Sequence, residues 1–211
     1  MYDFTFHTGS AALFLAHNFV DMKTEMSEPM RAIHFTVCEN DKVRISSVNG
    51  YNAGSFLQEY TEATDLQEGK SFALVFTKEQ VTLLKKLAVQ NKGVLISVNE
   101  KEAYADIVCS LFSTQVKYME SNCRFGKFYD IFVPIKQGHN AIHFVDVKRF
   151  DFSNILKNIT YPIIVNGERG CNLVLFDAEL SMPFEFIGIV MSIKEERYYT
   201  TNFEAPAWAK I

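Results

Sequence analysis

The sequence predicts an α+β fold of repeated βαβββ units, with antiparallel sheets on one side and helices on the other. Three observations predict it. The same order of strand-like and helix-like runs recurs three times along the 211 residues. Each pass carries one helix for its set of strands, which implies an antiparallel sheet with the helices segregated to one face. No proline falls inside a predicted helix, and Pro162 opens a strand, where it is tolerated.

The first unit starts with YDFTFH as a strand. SAALFLAHNFVDM follows as a helix, then RAIHFTVCEN and KVRISSV as strands joined at Glu39-Asn40-Asp41, then a strand through SFLQEYTEA. The second unit starts with SFALVF. Its helix is TKEQVTLLKKLAVQN, with Thr77 as N-cap and Gly93 as a stop, and its strands are VLISVNE, AYADIVCS and STQVKYMES. The third unit reads NAIHFV, then the helix DVKRFDFSNILKNI, then PIIVNGE, NLVLFDAEL and FEFIGIVMSI. The units share a plan, not residues.

Between units two and three lies RFGKFYDIFVP, with four aromatics around Gly126 and a closing proline. A plain connector is short and polar. This one is expected to be pinned under the sheets by its aromatic residues.

The helices differ in their outer faces. On a helical wheel, Val81, Leu83, Leu84, Leu87 and Ala88 share one side of the second helix. Lys78, Lys85 and Lys86 take the other, with Glu79, Thr82 and Val89. That basic face is either simply solvated or turned toward an anionic partner. In the third helix Phe152, Ile155, Leu156 and Ile159 form the packed side, and Lys148, Arg149 and Lys157 are spread around it. The first helix packs through Ala12, Leu15, Ala16, Phe19 and Val20. Its outer side carries His17, Asn18 and Asp21, with no basic residue.

Composition narrows the function. The chain is 48% hydrophobic and 22% charged, with a net charge of −4, so any nucleic-acid role needs a local basic face. The longest apolar runs are too short to span a bilayer. MYDFTFHTGS lacks a basic segment followed by an apolar core, so no secretion signal and a cytoplasmic location are expected. Cys38, Cys109, Cys123 and Cys171 have no metal-ligand spacing and read as buried reduced thiols. His139 and His143 are the only close histidine pair and have no third ligand nearby, so no metal is expected. Nor does the sequence read as an enzyme. NGERG lacks the spacing and Lys-Ser/Thr of a phosphate loop, GYNAGS is not a nucleophile elbow, and the carboxylates are scattered.

Three segments then resemble one family, the bacterial DNA sliding clamp, the beta subunit of DNA polymerase III. VRISSVNGYNAGSF resembles the clamp's strand and turn L-x-x-x-A-T-D-G-H-R-L-A, with Asn49-Gly50-Tyr51-Asn52-Ala53 at the Asp-Gly-His-Arg-Leu positions. RFGKFYDIFVP resembles G-R-F-P-D-Y-R-x-V-L-P, with Gly126, Phe128, Tyr129-Asp130 and Val133-Pro134 in register. The last unit resembles the clamp's end, a K-P-[IV]-x-[IL] strand leading to V-M-P-M-R-L. Val190-Met191 are kept, while Ser192 and Lys194 replace the proline and the arginine.

The resemblance implies a DNA-clamp-like fold: residues 1–134 as one clamp-like domain of two units, residues 135–195 as a third unit (half a domain), and residues 196–211 as a tail. Similar clamps close a ring of twelve units. Three units per chain then imply a homo-oligomer of four chains, or no ring at all. No bond chemistry and no cofactor are implied. Lys78, Lys85 and Lys86, with Arg149 and Lys157, would meet the phosphates of double-stranded DNA without reading bases.

The resemblance also implies a cleft for short peptide motifs of a DNA polymerase or clamp loader. It would be lined by Asn49, Gly50, Tyr51, Asn52, Ala53, Val133, Pro134, Val190, Met191 and Ile193. The other reading is that Val133, Pro134 and Met191 are core. Asn52 and Ala53, in place of Arg-Leu, alter the cleft floor. The tail EERYYTTNFEAPAWAKI holds Trp208 and three other aromatics. It is expected to fold back, over the cleft or onto a neighbouring chain. The rival function is a protein-binding scaffold that keeps the clamp fold without ring closure or DNA binding.

Overall fold

The structure, a computed structural model, describes residues 1–17, 19–20, 31–48, 52–90, 92–121, 163–166, 172–176 and 184–191. Thirteen elements follow in chain order: β1 (Phe4–Gly9), α1 (Ser10–His17), β2 (Ala32–Cys38), β3 (Lys42–Val48), β4 (Asn52–Thr64), β5 (Ser71–Val75) and α2 (Lys78–Val89). Then come β6 (Gly93–Asn99), β7 (Tyr104–Val108), β8 (Ser113–Glu120), β9 (Ile163–Asn166), β10 (Asn172–Phe176) and β11 (Phe184–Met191). The first two units therefore have the expected order. The first strand and the helix expected of the third unit lie outside the described residues, and so do the connector RFGKFYDIFVP and the tail.

All described strand pairs are antiparallel. The strand order β1-β6-β7-β8-β5-β2-β3-β4 shows that each unit lends its first strand to the other unit's sheet. Pairing of β1 with β4 closes these eight strands into a barrel-like ring, which removes most free edges. The Asn40-Asp41 turn between β2 and β3 uses left-handed backbone (φ 58° and 53°), which Asn and Asp tolerate.

Inside lies an aromatic cluster. Phe35 and Phe72 stack with centroids 4.8 Å apart, Phe4 meets Phe72 edge-on at 5.2 Å, and Phe6 and Tyr118 each lie 6.1 Å from Phe72. The rim of the cluster is polar. The Tyr118 hydroxyl donates to Glu100 at 2.8 Å, and Glu100 pairs with Lys70 at 2.6 Å, whose ammonium sits over the Phe4 ring. Tyr118 is held protonated well above the usual phenol range, by burial first and then by that carboxylate.

α1 packs on β2, β3, β4 and α2. The Ser47 hydroxyl donates to the Ala16 carbonyl and so ties β3 to the end of α1. Three expectations for the helices are corrected here. α1 ends at His17, where the N–H groups of Phe19 and Val20 donate to the carbonyls of Ala16 and His17. His17 is not on a solvent face: it is half-buried and its Nε2 atom is fully covered. Helix α2 does not stop at Gly93. It is capped at Gln90, and Gly93 begins β6, paired with Gly9.

Burial of His17 has a pH consequence. Desolvation lowers its pKa from 6.5 to about 4. The folded chain therefore keeps His17 neutral while the unfolded chain protonates it below about 6.5. Stability is expected to be full above pH 6.5 and to fall by on the order of 2–3 kcal/mol as pH drops toward 4. His17→Gln should flatten urea midpoints across that window. A wild-type profile no steeper than the variant's would refute this assignment.

The thiols are a further correction. Cys38 and Cys109 are free but half-buried rather than fully covered, and Cys38 Sγ donates to the Thr36 carbonyl. Cys123, Cys171, His139 and His143 lie outside the described residues. No group of three potential metal ligands occurs among the described residues.

Candidate functional site

The chain brings the start of β4 against the end of β11. Asn52 pairs with Val190, Ala53 with Ile189, Gly54 with Gly188 and Gln58 with Phe184. These strands are far apart in sequence, and their juncture is a seam between the first and third units. β4 can serve both partners because it has 13 residues: its first half holds β11, and Tyr60, Thr61 and Thr64 hold β1 on the same edge.

Gly54 lets the seam form. A Cβ there would stand 2.4 Å from the Phe19 ring, which is fully buried and packs on Phe56 at 6.3 Å. The ring cannot swing into open space. Gly54→Ala is thus expected to destabilise the chain by about 1–3 kcal/mol through overpacking, although alanine is otherwise the better strand residue. An unchanged thermal midpoint would show that Phe19 yields.

Of the expected cleft residues, the structure places Asn52, Ala53, Val190 and Met191 in these two strands. Asn52 is half-buried, and Ala53 is 4% exposed, inside β4 rather than in a turn. Asn49, Gly50, Tyr51, Val133, Pro134 and Ile193 lie outside the described residues.

The second candidate surface is α2. Thr77 caps it through a reciprocal pair: the Gln80 N–H donates to Thr77 Oγ1 at 3.4 Å, and the Thr77 N–H donates to Gln80 Oε1 at 2.8 Å. Leu84 and Leu87 are buried. Lys78, Lys85, Lys86, Thr82, Glu79 and Val89 are exposed, as the wheel requires. Glu79 is held below the usual carboxylate range by its own backbone N–H first and the Thr77 hydroxyl second. The face is thus a net-positive arc with one acid at its N-terminal end. Arg149 and Lys157 lie outside the described residues. α1 adds no charge, since none of its residues is exposed.

Val89 is 81% exposed in the middle of the basic arc, on the side where the wheel puts it. One feature escaped sequence reasoning. Gly54 and Phe19 support the seam, and the only available signal was a glycine inside an otherwise strand-like run.

No family model matches this sequence, and no curated protein matches it. Solved structures do. The DNA polymerase III subunit beta sliding clamp of Bartonella birtlesii, bound to griselimycin, matches with a TM-score of 0.62 at 10% identity, over 92% of this chain and 67% of the clamp. The Pseudomonas aeruginosa DNA polymerase sliding clamp matches at 0.55 and 8% identity, over 92% and 67%. The H. pylori beta clamp matches at 0.53 and 10%, over 98% and 66%. This chain has the sliding-clamp fold and spans about two thirds of the length of those clamps.

Proposed function

We propose that this chain is a clamp-like processivity factor, cytoplasmic and without bond chemistry of its own. It encircles or contacts duplex DNA non-specifically and tethers a polymerase or other partner by an apolar peptide motif. The observation that carries the reading is the seam. Two strand ends, from residues 52–53 and 190–191, meet side by side at the positions where the clamp resemblance puts a binding cleft. On the DNA side, Lys78, Lys85 and Lys86 would neutralise phosphates, a salt-dependent and sequence-independent term. Arg149 and Lys157 would extend that face, and a homo-oligomer would let it surround the duplex.

A second reading has a specific observation behind it. α1 exposes no residue and carries no Lys or Arg, so one of the two described helices offers nothing to phosphate. On this reading the chain is a clamp-fold scaffold that binds proteins at the seam and not DNA.

Fluorescence anisotropy with a short duplex, at several salt concentrations, separates the two. The first reading requires binding that weakens linearly in log affinity against log salt, and equally for unrelated sequences. Absence of binding at low salt would leave the scaffold.

A further inference from the structure

The last turn of α1 is fastened beneath the seam. The Ser47 hydroxyl donates to the Ala16 carbonyl, and Ser47 stands in register with Gly54. Gly54 in turn stands opposite Gly188 of β11. One row, Ser47–Gly54–Gly188, thus runs from β3 through β4 into β11. Two of its three residues are glycines, with no side chain to give the cross-strand contacts that stabilise a sheet. At Gly54 the packing comes instead from the Phe19 ring, which fills the space a Cβ would take.

His17 lies between these two fastenings, as the last residue of α1 and its one titratable group. Its Nε2 atom is fully covered and has no hydrogen-bond partner. α1 packs on β2, β3, β4 and α2. Among the described residues, no charged group of those elements turns toward it. On β2 and β3, His34, Lys42 and Arg44 alternate with the buried Phe35, Val43 and Ile45, so they lie on the far face of the sheet. Tyr60 packs on Phe6 at the other end of β4, where Glu59 is exposed. On α2, Lys78, Glu79, Lys85 and Lys86 are exposed.

A neutral imidazole is tolerated in such a place. Protonation puts an N–H on Nε2 with nothing to accept it, and a charge with no counter-ion. The pKa lowered by burial is the equilibrium expression of that cost. Because His17 ends the helix, it reaches water by unwinding one turn, and the rest of α1 need not move.

We infer that the last turn of α1 is an acid-released latch: protonation of His17 expels the turn, draws Phe19 from beneath Gly54 and loosens β11 from β4, while the eight-stranded barrel stays closed. The barrel is held elsewhere. Its aromatic cluster of Phe4, Phe6, Phe35, Phe72 and Tyr118 includes no residue of that turn, and β4 holds β1 through Tyr60, Thr61 and Thr64, at the far end from Gly54.

Hydrogen exchange on the whole chain, followed amide by amide by NMR and corrected for the intrinsic rate at each pH, tests the latch. Opening is favoured as pH falls from 6.5, where the freed imidazole protonates, toward 4, where the covered one does. Between pH 7 and pH 4.5 the protection of amides joining β4 to β11 should fall about fiftyfold, while those of β2 and β5 keep theirs. His17→Gln, uncharged throughout, should hold seam protection level over that range. Ser47→Ala cuts the tie to Ala16 and leaves His17 in place. It should lower seam protection already at pH 7 and keep the further fall with acid. The inference is overturned if seam and barrel lose protection together, if the wild-type chain shows no fall, if the fall survives in a folded His17→Gln, or if Ser47→Ala leaves the seam unchanged. No DNA or partner enters the experiment, so its failure leaves the proposed function untouched.

Discussion

Phe72→Ala is expected to cost about 3–5 kcal/mol and to lower the thermal midpoint by roughly 10 °C. Phe72 is fully buried, stacks on Phe35 at 4.8 Å and touches Phe4, Phe6 and Tyr118. These rings come from β1, β2, β5 and β8, so they join strands of both units across the closed sheet. Truncation opens a cavity that four neighbours must share, and none has a flexible end able to fill it. Phe72→Leu, which keeps most of the volume, should lose well under half as much. If alanine costs less than about 1.5 kcal/mol by chemical denaturation, the cluster is not what holds the two units together.

Reversing the α2 face should have the largest effect on binding. The triple variant Lys78→Glu, Lys85→Glu, Lys86→Glu is expected to weaken duplex DNA by tenfold or more at low salt, roughly uniformly across sequences. The slope of log affinity against log salt should become shallower by about 3, close to one per lost phosphate contact. All three side chains are exposed and none belongs to the packed face of Leu84 and Leu87, so the fold should survive. Wild-type affinity and slope in the triple variant would assign the lysines to plain solvation.

How much of this was legible in the sequence depends on the range of the interactions. α2 could be read almost completely, because its signals are local: Thr77 with Gln80 three residues later, and the spacing of Leu84 and Leu87 against three lysines. The strands of the first two units were legible from alternation. The exchange of β1 and β5 between sheets was not, since it pairs residues such as Phe4 with Val98 and Phe72 with Glu120. The length of β4 was also hidden. Asn52 and Gly54 read as turn residues, yet Gly54 is in the strand because Phe19 needs its space. His17 was assigned outward because a wheel knows one face only, whereas α1 is covered by both a sheet and α2. The seam was reached through resemblance of short motifs, and the strand pairing supplies the geometry for four of its ten proposed residues. The contact of Gln80 with β8 was also hidden, because its Nε2 donates to the carbonyl of Gln115, far along the chain.

The most direct measurement of the central claim is a calorimetric titration with a short apolar peptide of the kind proposed to dock at the seam. The seam reading expects saturable binding to the wild-type chain, abolished by Met191→Asp, with the variant melting like wild type. Binding that the folded variant retains in full would contradict the claim that the β4–β11 seam is the partner site.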